Sequence, residues 1–411
     1  MTNQPSISFN NTEYAFAYKK NAALKKAQFL FASMGKPWLI NWGLKFTPLA
    51  IKWHLPFTKT IIRSTIFNQF VGGETLEQTA TVAKKLHDYN VQVILDYGVE
   101  GGDDGEDGFD NATQQFIKVI NYAATQPNIP FISIKVTGFS RFTLLEKIDM
   151  LMHQFTGTLM KRYLKAVDNL SETEKEEWHS VRVRMLRICE AAATHHIGVL
   201  VDAEETWIQD PVDALTILMM DTFNRTKAVV YNTIQLYRHD RLQFLKDSCS
   251  ATTERDFILG AKLVRGAYME KERNRAIEKN YTSPIQITKQ HTDNDYNDAV
   301  TFCVQNIKKV AVIIATHNEE SNMHGVQIAQ QYSVPLNHPH IHFSQLYGMS
   351  DNITFNLAKA NCSVSKYLPF GPIKDVIPYL MRRAQENSSV SGQTGRELGL
   401  IKKELKRRNL A

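Results

Sequence analysis

Tyr379, Arg382, Arg383 and Glu386 stand at i, i+3, i+4 and i+7 within IKDVIPYLMRRAQEN, late in a sequence of 411 residues. On a helix this spacing places all four on one face. Two guanidinium groups beside a tyrosine can hold a carboxylate through forked, charge-assisted bonds. A solvated face carrying an Arg–Glu pair is the plainer alternative.

A second set of reactive side chains ends a series of short apolar, β-branched runs. The runs are 91–98, 130–137, 197–204, 228–235, 258–266, 310–317, 341–348 and 362–371. They end, in order, in Asp96, Lys135, Asp202 with Glu204, Gln235, Lys262 with Arg265, Thr316 with His317, Gln345 and Tyr367. Near-continuous apolar runs separated by longer helical stretches indicate parallel strands with both faces covered. Eight such alternations predict an α/β fold, a closed (βα)8 TIM-type barrel before an open doubly wound sheet. In a barrel the C-terminal strand ends share one mouth, where active sites are built. Polar side chains in register there predict an enzyme.

The elements that must position these groups divide into an N-terminal helical segment, 1–75, and a barrel domain, 76–411, whose last helix, carrying the arginines, is expected over the mouth. Tyr18 to Met34 is rich in alanine and lysine and has strong helix propensity. The stretch after it is broken by Pro37, Pro48 and Pro56 and interleaves Trp38, Trp42 and Trp53 with Lys45 and Lys52. Tryptophan beside lysine suits a membrane interface, whereas a helical cap would pack its tryptophan faces on the main domain. The gap at 138–196 is too long for one crossover helix and predicts two, the second opened by the capping box Ser171-x-x-Glu174. GGDDGEDG (101–108) and DNDYND (293–298) lack the ligand spacing of an EF-hand and predict solvated loops or helix N-caps. His338, His340 and His342 resemble a metal triplet, but they begin the seventh run, at the end away from the mouth, so no metal site is predicted.

Composition narrows the class. Hydrophobic residues make up 43% and charged residues 22%, which excludes a disordered, collagen-like or disulfide-scaffold chain. A balance of 48 basic to 42 acidic residues is too thin to argue for nucleic acid. The four cysteines form no CxxC pair, which suits a reducing compartment. No secretion-signal pattern opens the sequence, and no uncharged apolar run reaches the ~18 residues a spanning helix needs. A cytoplasmic protein, soluble or peripheral on the inner face of a membrane, is expected. GxGxxG after the first run, GxxxxGK[ST], GxSxG and HExxH are all missing, so no Rossmann, P-loop, nucleophile-elbow or zincin site is signalled.

Taken together, ISIK (132–135), VDAEE (201–205), QLY (235–237), KLVRGAY (262–268), ATHN (315–318), QLYGM (345–349), YLPFG (367–371) and YLMRRAQEN (379–387) resemble the motifs of the proline dehydrogenase family, in that family's order and led in by FVGGET (70–75). The resemblance implies a flavoenzyme that oxidises L-proline to Δ1-pyrroline-5-carboxylate, with FAD across the barrel mouth. It assigns Arg382, Arg383 and Lys135 to the substrate carboxylate, and Tyr367, Tyr379, Tyr268 and Leu346 to the walls around the pyrrolidine ring. Glu100 matches a glutamate that pairs with Arg382 as an ion-pair gate. Asp202 matches a carboxylate beside the flavin. Gln235, Lys262, Val264, Arg265, Gly266, Ala267, Thr316, His317, Asn318, Gln345 and Glu386 are assigned to the flavin site.

The sequence departs from the pattern in places. Many bacterial bifunctional members have arginine where Lys262 stands, so the positive charge is kept but the planar fork is lost. GMSD (348–351) stands where many have GMGE. Nothing resembles an aldehyde dehydrogenase half, so a monofunctional enzyme is implied. Tyr367 stands where a smaller residue marks hydroxyproline users. The chemistry implied is hydride transfer from the ring carbon beside nitrogen to flavin N5, the protein supplying position and electrostatics, with electrons passed to a membrane quinone. Two other classes stay open: a barrel lyase or aldolase using Lys135 or Lys262 as a Schiff-base amine, and a flavin-binding regulatory module without turnover.

Overall fold

The computed structural model describes residues 7–36, 38, 53, 58–98, 105–389 and 393–410, without the side chains of 385–389 and 393. All eight apolar runs are strands: β1 (Gln92–Tyr97), β2 (Phe131–Ile134), β3 (Gly198–Val201), β4 (Val230–Gln235), β5 (Leu259–Val264), β6 (Val310–Ala315), β7 (Ile341–Leu346) and β8 (Val364–Phe370). They follow one another in chain order round a closed barrel, as expected. β1 pairs with β8, and β2 to β6 pair successively, each pair parallel. β3 and β4 are buried at every residue, which is why their sequences lack the alternation of a half-exposed strand.

The chain forms two compact units, 100–343 and 1–99 with 344–411. Within 100–343, β4 is tied to the helix Thr206–Phe223 by a buried polar network. Asp213 accepts from Asn232 at 2.8 Å and from Gln209 at 2.9 Å, and its other oxygen lies 2.8 Å from Arg241. Buried charge is tolerated there because it is paired. The gap at 138–196 holds three helices rather than two: Phe142–Met152, Leu159–Asp168 and Glu172–His195. Thr158 caps the extra one, while Ser171 and Glu174 form the expected capping box on the third. The DNDYND run is neither a loop nor a cap, because it lies inside the helix Lys289–Gln305, which Thr288 opens. All four cysteines are buried and unbridged.

In the other unit, Phe16, Leu24, Phe31, Phe67 and Phe70 pack against Ile373, Val376, Leu380, Leu400 and Ile401. The N-terminal helices therefore brace the helix Ile373–Ser389, which carries the paired arginines. That packing is made by phenylalanines, not tryptophans: Trp38 and Trp53 are 62% and 67% exposed, and Trp42 lies outside the described residues. Among the described residues no helix is long and apolar enough to cross a membrane.

Candidate functional site

In a parallel sheet every strand delivers its C-terminal end to the same edge, so β2 to β6 bring five groups together within 100–343. Lys135 and Asp202 directly follow β2 and β3, and the Asp202 N–H donates to the carbonyl of Ile134 at 2.8 Å. Gln235 ends β4, Lys262 lies in β5 and Thr316 follows β6. Alternate strands of a barrel share a layer of inward side chains. Asp202 and Lys262, two strands apart, accordingly form an ion pair.

Glu204 stands two residues beyond Asp202 and is buried. Its backbone is held from both sides: its N–H donates to Gln209 Oε1 and its carbonyl accepts from Gln235 Nε2, each at 2.9 Å. Thr137 Oγ1 reaches both carboxylate oxygens at 2.9 Å. Burial pushes the Glu204 carboxyl up to about 7, against the opposing charge of Lys135 and the bonds from Thr137. Spacing gave a signal for both residues, since Thr137 follows Lys135 by two just as Glu204 follows Asp202.

The KLVRGAY turn is built for exposed backbone. Gly266 has φ +143°, and a Cβ there would lie 2.4 Å from the Tyr237 ring, so glycine is required twice over. Gly266 and Ala267 are exposed, while Val264, Arg265 and Tyr268 are half-buried. Gln235 Oε1 is buried without a hydrogen-bond partner among the described residues. An uncovered turn beside an acceptor still to be satisfied fits a bound cofactor.

Arg265 is already engaged within the protein. It pairs with Asp293 at 2.7 Å, donates to Thr316 Oγ1 at 2.6 Å and Ser321 Oγ at 3.0 Å, and stacks over Tyr296 at 4.5 Å. Its guanidinium therefore ties the β5 turn to the β6 turn. Asn318 caps the helix Glu319–Gln331 by accepting from the Ser321 N–H at 2.8 Å, and the half-buried His317 lies between these anchored residues.

The unit of 1–99 and 344–411 gathers its own set. Tyr379 and Arg383 are buried on the helix Ile373–Ser389, with the guanidinium 5.2 Å from the ring centroid, as i, i+4 spacing predicts. Arg382, Tyr367 and Leu346 are half-buried. Gln345 accepts from Thr354 Oγ1 at 2.8 Å, and the Tyr347 N–H donates to the Tyr367 carbonyl at 2.9 Å. Glu100 and the side chain of Glu386 lie outside the described residues. A pocket of about 380 Å³ is bounded by residues between Arg63 and Gln78, none of them a candidate site residue.

His340 Nδ1 lies 2.7 Å from the Ile307 carbonyl, and His342 packs edge-on against Phe131 with ring centroids 5.0 Å apart. Burial lowers the His342 pKa to about 3, so the ring is neutral. The run begins β7, as the sequence suggested, and its contacts are those of packing.

A family model described as Proline dehydrogenase matches residues 79–396. The chain is 32% identical over 374 residues to proline dehydrogenase 1, mitochondrial, of Dictyostelium discoideum, covering 84% of this chain and 65% of that protein. It is 34% identical over 347 residues to the carbapenem antibiotics biosynthesis protein CarD of Pectobacterium carotovorum subsp. carotovorum, covering 84% and 85%. A crystal structure of proline utilization A from Bdellovibrio bacteriovorus, inactivated by N-propargylglycine, superposes with a TM-score of 0.71 at 17% identity, over 96% of this chain and 40% of that one. That likeness is one of fold. The chain thus spans just under two thirds of the Dictyostelium protein and two fifths of the proline utilization A chain.

Proposed function

Because the chain belongs to the proline dehydrogenase family, we propose that it oxidises L-proline to Δ1-pyrroline-5-carboxylate with FAD as its cofactor. The observation that carries this reading is the Asp202–Lys262 ion pair, set among Lys135, Gln235 and the open turn at Gly266 on one edge of β2 to β5. FAD, when bound, supplies a two-electron acceptor for the hydride leaving the ring carbon beside nitrogen. Gln235 and the backbone of Val264–Ala267 would hold it, with Asp202 and Lys262 setting the local charge and Thr316, His317, Asn318, Gln345 and Glu386 completing the site.

Arg382, Arg383 and Lys135 bind the substrate carboxylate in this reading, and Tyr268, Leu346, Tyr367 and Tyr379 enclose the ring. Fixing a small amino acid by its carboxylate converts binding energy into orientation of the carbon that reacts. The substrate reacts as the neutral amine, whose lone pair forms the C=N bond of the product. Glu100 and Arg382 are the proposed gate. A Schiff-base role finds no support at Lys262, whose ammonium is committed to Asp202. The proposed onward acceptor is a quinone, and exposed Trp38 and Trp53 suit a peripheral membrane contact.

An anaerobic visible spectrum of the purified protein tests the reading. A yellow preparation bleached by L-proline supports it, and colour indifferent to proline, or a colourless protein, removes it.

A further inference from the structure

We propose that Asp293 is a positioning residue for the flavin: it anchors Arg265, and through Arg265 it fixes the turns after β5 and β6 in the arrangement that receives the cofactor. The inference rests on the flavoenzyme reading given above. It gives a role to the DNDYND run (293–298), which that reading leaves unused.

The run lies in the N-terminal half of the helix Lys289–Gln305, and three of its residues converge on the KLVRGAY turn. Asp293 Oδ1 accepts from Arg265 Nε at 2.8 Å and lies 2.7 Å from Nη2, while Lys289 donates to Oδ2. Tyr296, fully buried, carries the Arg265 guanidinium over its ring and donates its hydroxyl to the carbonyl of Leu263 at 3.2 Å. Asp295 accepts from Gln286 Nε2 at 2.6 Å, and the Gln286 N–H donates to the Tyr237 carbonyl at 2.7 Å. The Tyr237 N–H in turn donates to the Arg265 carbonyl at 2.8 Å. One helix thus holds both the side chain and the backbone of Arg265.

From Arg265 the grip passes to β6. Nη1 donates to Thr316 Oγ1 at 2.6 Å and Nη2 to Ser321 Oγ at 3.0 Å. Thr316 Oγ1 accepts from the Asn318 N–H at 3.1 Å, so the backbone around His317 takes its shape from the same contact. All three nitrogens of the guanidinium are engaged, which makes Arg265 a strap between two turns.

Asp293 decides where the strap points. Ordering a long arginine side chain costs conformational entropy, which charge-assisted bonds to a carboxylate offset better than neutral hydroxyls do. Burial opposes the Asp293 charge, yet the bonds from Lys289 and Arg265 win and hold its carboxyl below the usual aspartate value, so the anchor is ionised at neutral pH. Without it Arg265 samples rotamers that miss Thr316. Flavin binding must then supply the ordering that the protein otherwise provides, and affinity falls.

The test compares wild-type holoenzyme with Asp293→Asn and Lys289→Gln. FAD release on dilution is read as free-flavin fluorescence, and amide hydrogen exchange is followed at Asn318. Asp293→Asn should weaken FAD binding and speed Asn318 exchange about tenfold, as expected for loss of one charge-assisted bond. KM for proline at saturating FAD should change less than about threefold. Lys289→Gln removes an exposed i, i+4 pair from the same carboxylate and should leave FAD affinity within about twofold, which separates the strap from the stability of the helix. In a double-mutant cycle, adding Asp293→Asn to Arg265→Met should change FAD affinity no further.

FAD release and Asn318 exchange unmoved in Asp293→Asn would overturn the proposal while leaving the flavin reading intact. So would a parallel rise in KM for proline, or an undiminished effect of Asp293→Asn in the Arg265→Met background. Wild type that binds no FAD overturns both. Should Asp293→Asn fail to fold, Ser321→Ala decides. It loosens the same guanidinium but keeps the cap from Asn318, which is made to the Ser321 N–H, and unchanged FAD release and Asn318 exchange there would overturn the proposal.

Discussion

The Lys366 ammonium lies 3.0 Å from a carboxylate oxygen of Asp351, with 0% and 3% of the two side chains exposed. Lys19 approaches the second oxygen at 3.2 Å, and the Tyr18 hydroxyl donates to it at 2.7 Å. Lys366 also donates to the carbonyl of Met349, and the Ser350 N–H donates to Glu397. One buried cluster thus joins β8, the turn after β7, the N-terminal segment and the helix Gln393–Arg407. Lys366 immediately precedes Tyr367, so the cluster also fixes the backbone that presents a candidate substrate wall.

Removing one partner of a buried pair leaves a bare charge, at a cost of about 3–5 kcal/mol. Asp351→Asn, which takes the carboxylate from both Lys366 and Lys19, should lower unfolding free energy by that order in urea titrations, and Lys366→Met, which leaves Asp351 beside Lys19, by less. The double variant should lose less than the sum of the two, because Lys366 is then no longer there to be stranded by the loss of Asp351. Additive losses would show that the two residues act independently.

The pH dependence of stability has a definite sign. Burial, then the charge of Asp351, pushes Glu397 up to about 7 from an ordinary 4.5, and burial does the same to Glu204. A carboxyl with a raised folded pKa binds its proton more tightly when folded. Its contribution is complete below about pH 4.5 and is lost as pH rises through 7. Each such group is worth about 3 kcal/mol over that span. Asp351 runs the other way: burial raises it, but Lys19 and Lys366 win and hold it at about 2, so its contribution is lost only in strong acid. Glu397→Gln should flatten the fall in urea midpoint between pH 5 and 8, and an unchanged slope would refute the assignment.

The strands were legible because each carries a run rich in apolar and β-branched residues with a polar side chain in or just after its C-terminal part, a pattern that local sequence carries. The capping box at Ser171 and the i, i+4 stacking of Tyr379 with Arg383 were legible for the same reason. The helix Leu159–Asp168 escaped because only His153–Thr158 separates it from its predecessor, and no proline or paired glycine marks the break. DNDYND reads as a loop by propensity, yet Asp293 inside that helix is anchored by Lys289 one turn away and by Arg265. Tertiary pairing there outweighs a weak local preference. Lys366 gave no signal, since its partner Asp351 lies across a turn and a helix and local sequence does not report such a contact.

The carboxylate assignment predicts a specific kinetic defect. Arg383→Met removes a buried guanidinium whose charge-assisted bonds are worth ~1.5–3 kcal/mol each. KM for proline should rise roughly tenfold to a hundredfold or more. A wild-type KM in this variant would withdraw Arg383 from the substrate site.

Gly266 predicts the loss of cofactor rather than of substrate. Its φ of +143° is open to glycine, and a Cβ would lie 2.4 Å from the Tyr237 ring. The turn can accept alanine only by moving the backbone of Arg265–Ala267 or by displacing Tyr237, whose N–H donates to the Arg265 carbonyl at 2.8 Å. Backbone strain of this kind costs about 1–3 kcal/mol. Flavin occupancy of Gly266→Ala, read as the ratio of visible to ultraviolet absorbance, should therefore fall, with affinity down by about fivefold to 150-fold. The barrel should persist, because β4 and β5 pair through Gln235 and Val264 upstream of the turn, and far-ultraviolet circular dichroism should stay as in wild type. Full flavin occupancy in this variant would mean that the KLVRGAY turn does not touch the cofactor.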